Sequence, residues 1–190
     1  MIRIALVALF AALTAAGAFI AIPVGPVPIV LQNLFALLSG LILGPVMGGA
    51  AVALYLLAGI LGLPVFAGGT AGITRFAGPT GGFLVGYLLS AIIAGIIAGR
   101  PMARQGTAAK TPRLRIVIAV IIALLIVYVP GVAWLKISQN LTWARALFAG
   151  FVPFIAGDIV KGIVAVIIAP RLRRTAADFL DGKNLDGRSQ

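Results

Sequence analysis

Apolar residues in this chain gather into long runs that are hydrophobic on every face. Six stand out: Ile4–Ile22, Ile29–Leu43, Val46–Leu63, Gly81–Gly99, Ile116–Leu135 and Ala144–Ala169. A run of about 20 such residues, wound as a helix, covers the roughly 30 Å of a bilayer's hydrocarbon core. In lipid a backbone must satisfy its own hydrogen bonds, and the period-two alternation of a membrane barrel is absent, so each run predicts a helix. The second run is short, and only Gly44-Pro45 separates it from the third, which predicts a tight helical hairpin. Pro23-Val24-Gly25-Pro26-Val27-Pro28 cannot be helical, since proline removes donors and restrains the residue before it. The expectation is an all-α, polytopic six-helix membrane bundle over 1–173, followed by a polar, fraying tail over 174–190.

Composition sharpens this picture. Hydrophobic residues make up 62% of the 190 positions, far above the apolar share of a soluble domain. A net charge of +11 would suggest nucleic acid in a soluble protein, but here the cations flank the runs and set orientation instead. Arg3, Arg100, Arg104, Lys110, Arg113, Arg115, Arg171, Arg173, Arg174, Lys183 and Arg188 fall on one side, against Arg75, Lys136 and Arg145 on the other. Both termini are therefore expected in the cytoplasm, with the first run retained and not cleaved as a signal peptide.

Small residues recur at four-residue spacing: Ala8, Ala12 and Ala16; Gly40, Gly44 and Gly48; Gly78, Gly82 and Gly86; Gly95 and Gly99. Such stripes let helix backbones approach closely in lipid, and packing within the bundle is the plain reading. The first stripe could instead face another membrane subunit, because periodicity does not separate inward from outward.

Two features point to chemistry. Between Phe148 and Pro170 the only charges are Asp158 and Lys161, three residues apart and so on one helix face. Ions at that depth face the interior or each other. A self-satisfied pair is the competing reading, but together they offer acceptors and donors to a ligand that has both N–H groups and a carbonyl or carboxylate. Pro153, just upstream, predicts a bend that opens the outer part of the last helix.

The second feature is the loop GLPVFAGGTAGITRFAGPTGGF, residues 62–83. Its glycines, Gly68 and Gly69 among them, permit turns that expose N–H groups to an anion, or they simply make turns. Arg75 is the only charge between Arg3 and Arg100 and could meet a carboxylate with two hydrogen bonds. Phe66, Phe76, Phe83, Tyr87 and Trp134 could wall an apolar ligand, with Thr70 beside them. Gln32 and Asn33 open the second run and could bond a ligand or cap the backbone. Tyr55, Gln139 and Asn140 are weaker candidates.

The chain has no cysteine and no histidine, which removes disulfides, thiolate nucleophiles, imidazole bases and ordinary zinc ligands. No nucleotide-binding glycine loop is present. An aspartyl protease would need two membrane carboxylates where only Asp158 is available. No enzyme activity, cofactor, metal or nucleic-acid partner is expected.

The loop pairing GLPVFAGG (62–69) with GPTGGF (78–83), the earlier PVGPVPIVLQNLFALLSGLILGP (23–45) and the later PFIAGDIVKG (153–162) resemble the BioY family. These are biotin-specific substrate-capture (S) components of energy-coupling factor (ECF) transporters in prokaryotic cell membranes. The resemblance covers nearly all six runs. It implies a six-helix bundle that takes biotin near its outer face, beneath loops 22–28 and 64–80, and a partnership with a membrane coupling subunit and a pair of ATPases. It further implies Asp158 on the ureido N–H groups and Lys161 on the ureido carbonyl or the tail carboxylate, with Arg75 a second candidate for that carboxylate. Ala8, Ala12 and Ala16 resemble the small-residue motif that meets the coupling subunit. Two other readings remain at this stage: a solitary ion-coupled carrier with Asp158 as proton site, and a non-transporting scaffold.

Overall fold

The computed structural model describes residues 1–23, 25–99, 101 and 112–180. The expected cations Arg100, Arg104, Lys110, Lys183 and Arg188, with the tail from 181 onward, lie outside these residues. The described chain is mostly helical: α1 (Ile2–Phe19), α2 (Gln32–Leu43), α3 (Pro45–Ile60), α4 (Thr74–Ala77), α5 (Gly81–Ala98), α6 (Arg113–Ser138), α7 (Trp143–Gly150) and α8 (Ile155–Leu180). By length and composition α1, α5, α6 and the α7–α8 stretch can each cross a membrane, while α2 and α3 are shorter apolar helices.

Four details depart from the run boundaries. Helix α1 ends at Phe19, three residues before the predicted Ile22, because Ala21–Ile22 (β1) pairs antiparallel with Ile29–Val30 (β2). The proline-rich stretch between them cannot be helical, and this two-rung hairpin closes it. The last run is not one helix. It breaks after Gly150 into a 3-10 turn, Val152–Phe154, around Pro153, and α8 starts at Ile155. Helix α8 then continues to Leu180, so residues 174–180 are helix and not frayed tail, with Ala176 and Ala177 buried. Gly78 caps α4 instead of joining the stripe of Gly82 and Gly86.

The predicted hairpin of the second and third runs is present. Gly44 bridges α2 and α3 at φ 83°, in the left-handed region that glycine occupies without strain. A Cβ on Gly48 would come within 2.6 Å of the Gly40 backbone, so these two helices touch main chain to main chain. Gly40 likewise abuts Ala91 of α5, Gly95 abuts Gly44 and Pro45, and Gly82 and Gly86 abut Pro130 and Val127 of α6. These contacts bury small-residue stripes where dispersion and close approach hold helices together. The α1 stripe is the exception: Ala8, Ala12 and Ala16 are exposed, while Phe10, Ala11, Thr14, Gly17 and Ala18 face inward.

One end of the bundle is fastened by a cation. Arg173 of α8 is buried and donates to the carbonyls of Leu41, Ala98 and Gly99. It thereby satisfies carbonyls that α2 and α5 leave open at their C-terminal ends. Arg115 of α6 donates to Ile97 O beside it. The opposite end carries the β1–β2 hairpin and the 62–80 loop.

Candidate functional site

Helix α8 begins immediately after the 3-10 turn at Pro153, so Asp158 falls in its first turn, where a carboxylate is favoured by the helix dipole. Lys161 follows one turn later on the same face. Both residues are buried, 8% and 7% exposed, and Lys161 Nζ lies 3.0 Å from Asp158 Oδ1. The expected inward orientation is therefore observed. Asn33, in the first turn of α2, donates Nδ2 to the same Oδ1 at 3.0 Å. Tyr128 of α6 donates its hydroxyl to Oδ2. Three helices thus converge on one carboxylate.

Because Asn33 points its amide nitrogen at Asp158, its Oδ1 is left buried and without a hydrogen-bond partner among the described residues. Gln32 Nε2 is in the same condition one residue earlier, and its side chain is 1% exposed. An orphaned buried polar atom costs about 1–3 kcal/mol. One open acceptor and one open donor therefore face the interior at adjoining positions.

These residues border two adjacent spaces. An inner cavity of about 10 Å³ is lined by Asn33, Asp158, Lys161, Tyr87 and Tyr128, with Phe83, Phe154 and Pro28 among its walls. An outer one of about 90 Å³ is lined by Gln32, Phe66, Thr70, Arg75, Thr80 and Tyr87, with Pro26, Pro28 and Phe83. Pro28, Val30, Phe83 and Tyr87 line both. The two spaces thus adjoin each other across these four residues, with the ion pair bordering the inner one and Arg75 the outer.

The loop over the outer space is tied down at several points. Phe66 is buried against Gly59, where a Cβ would meet the ring at 2.1 Å, and packs edge-on to Tyr55 with centroids 5.6 Å apart. Phe76 packs edge-on to Phe66. Gly68 and Gly69, both in the left-handed region, make the turn that lets Phe66 bridge Thr70; they line neither cavity. Gly72 N–H donates to Gly59 O at 2.8 Å, and Trp134 of α6 donates Nε1 to Gly78 O at 3.0 Å.

Of the residues singled out in the sequence, Asp158, Lys161, Asn33 and Tyr87 meet at the inner cavity, and Gln32, Phe66, Thr70 and Arg75 at the outer. Gln139 and Asn140 follow α6 and line neither. Tyr128 escaped the sequence reading, because one tyrosine in an apolar helix looks like any interface anchor. Only the proline just after it, Pro130, and its alignment across from Asp158 in the fold distinguish it.

The family model described as "BioY family" matches residues 1–178. The chain belongs to the BioY family. A relative named "Probable biotin transporter BioY", from Pyrococcus horikoshii, is 41% identical over 171 residues, 90% of this chain and 96% of that one. The "Biotin transporter BioY" of Thermotoga maritima is 38% identical and covers 87% of this chain and 92% of its own length. The chain also resembles a crystal structure of the S-component for biotin from an ECF-type ABC transporter. That similarity has a TM-score of 0.76 at 31% identity, with 90% of each chain covered. BioY proteins are transporter components and not enzymes.

Proposed function

We propose that this BioY protein is the biotin-capturing S component of an ECF-type transporter and takes biotin from the outer face of a prokaryotic cell membrane. The observation that carries the reading is the buried cluster of Asp158, Lys161 and Asn33 beside an aromatic-walled cavity. Biotin's ureido ring presents N–H donors and a carbonyl acceptor, which complement the Asp158 carboxylate, the open Asn33 Oδ1 and the Lys161 ammonium. Its apolar rings match Phe83, Tyr87 and Phe66. Its carboxylate reaches toward the outer cavity, where Gln32 Nε2, Thr70 and Arg75 stand, with the Gly68-Gly69 turn above.

The closed volumes are too small for a bicyclic ligand, so capture requires the lining to part. The movable boundary is the 62–80 loop with the β1–β2 hairpin, since most of the remaining lining belongs to helices of the bundle. Six membrane crossings, α7 and α8 sharing the last, place both termini on the cytoplasmic side with Arg113, Arg115 and Arg171. The exposed stripe of Ala8, Ala12 and Ala16 offers the coupling subunit a smooth contact face, and that subunit with its ATPases supplies the energy.

Isothermal titration of the purified protein tests this. Wild type binds biotin, and Asp158→Asn weakens binding by at least about 30-fold, the size expected for hydrogen bonds to a charged group. Equal binding by wild type, Asp158→Asn and Lys161→Ala would remove the pair from the site.

A further inference from the structure

On the outer side of Asp158 lies a third space, unlike the other two. It is a groove of about 490 Å³ between α6 and α8, lined by apolar side chains such as Leu124, Leu125, Ile159 and Ile163. Its rim residues Ile121, Leu125, Ile159, Ile163 and Ile167 are exposed, so the groove opens toward the surroundings of the bundle. Asp158 and Tyr128 are the two residues that line both this groove and the inner cavity. The partition between an oily cleft and the polar site is thus one hydrogen-bonded pair.

Tyr128 is built to hold that partition. Its ring packs edge-on to Phe151 at 4.7 Å and to Phe83 at 6.4 Å, and Phe83 is itself seated over Gly131 and stacked on Phe154. The hydroxyl takes Asp158 Oδ2, while Asn33 and Lys161 take Oδ1. Without the hydroxyl, Oδ2 would face the apolar groove with no donor, a costly state for a carboxylate. The carboxylate would then turn toward Lys161 and lose its fixed edge.

We infer that Tyr128 is a positioning residue for substrate selection: by holding Oδ2 of Asp158 it fixes the plane of the carboxylate, so that the acceptor position left open meets the ligand's N–H donors. This rests on the proposed biotin site. The ligand it selects is a cyclic urea with a free N–H, and an analogue blocked at that nitrogen loses the benefit. A residue that merely packed would serve both ligands equally.

The test compares Tyr128→Phe with wild type, each titrated with biotin and with biotin methylated on one ureido nitrogen. The ring and its stacking survive in the variant, and thermal unfolding without ligand checks that it folds. Tyr128→Phe is expected to weaken biotin binding about tenfold, the scale of one hydrogen bond to a charged group, and to change binding of the methylated analogue less than about twofold. Discrimination between the two ligands therefore shrinks. In an Asp158→Asn background the same substitution adds less than about twofold to the loss, because coupled partners are not additive. An equal loss for both ligands, or no loss for biotin, overturns the positioning role while leaving the biotin site intact. A wild-type protein that binds neither ligand overturns the site reading and this inference with it. Should Tyr128→Phe fail to fold, Phe151→Leu loosens the same ring from its seat and must show the same ligand-selective loss; a uniform loss there contradicts the proposal.

Discussion

Lys161 and Asp158 compensate each other's charge, so losing one strands the other in a nearly dry interior. Breaking a buried pair by removing one partner costs about 3–5 kcal/mol, whereas replacing both with uncharged groups of similar size is often close to neutral. Lys161→Ala should therefore lower stability by about 3 kcal/mol in denaturant titrations in detergent. The double variant Asp158→Asn/Lys161→Met should be more stable than Lys161→Ala. If the double variant is the less stable of the two, the pair is not mutually compensating. The inward orientation of these residues was legible in the sequence, because ions inside an apolar run face the interior or each other. Asn33 was half legible: its polarity was visible, but its bond to Asp158, 125 positions away, was not. Tyr128 and Arg173 were illegible for a common reason. A tyrosine or an arginine near a helix end serves as an ordinary membrane anchor or topology cation, and only three-dimensional neighbours show Arg173 bonded to three carbonyls of two other helices.

The helices are held by glycines whose neighbours differ in how far they can yield. A Cβ on Gly40 would lie 1.9 Å from the Ala91 carbonyl oxygen, a backbone atom that moves only if α2 or α5 moves. A Cβ on Gly162 would meet the flexible ends of Leu124 and Val120 at 3.3 and 3.4 Å. Gly40→Ala should destabilise by about 1–3 kcal/mol, as overpacking does, and Gly162→Ala by much less. Thermal unfolding of the two variants in the same detergent measures this; equal midpoints would mean that α2 and α5 do not rest on each other as described. The four-residue spacing predicted such contacts without saying which helix met which. The same spacing could not tell that the α1 stripe points outward, since 3.6-residue periodicity fixes a face and not its direction. The break at Pro153 was read as a bend; the chain goes further and begins a new helix, because the proline and the 3-10 turn before Ile155 end one hydrogen-bond ladder and start another.

Across the whole molecule the two ends are chemically distinct. Cations and open carbonyls are knitted together at one end by Arg173 and Arg115, while the other end holds the cavities beneath loop and hairpin. That polarity suits a subunit that captures at one face and is fastened at the other. If the outward α1 stripe is the coupling contact proposed above, a change there separates binding from transport. Ala12→Trp should leave biotin titration unchanged while abolishing uptake by cells that carry the coupling module. Loss of binding in that variant would place α1 in the capture site, and full uptake would exclude the stripe from the coupling contact.

In the proposed site, Asp158 and Lys161 grip the ureido ring at the inner cavity. A crystal or cryo-electron structure with biotin bound tests it directly. Ligand density is expected between α8 and the 62–80 loop, with a ureido nitrogen within hydrogen-bonding distance of Asp158, the loop displaced and the carboxylate directed toward Arg75. Biotin bound elsewhere, with the Asp158–Lys161 pair untouched beneath an undisturbed loop, would contradict it.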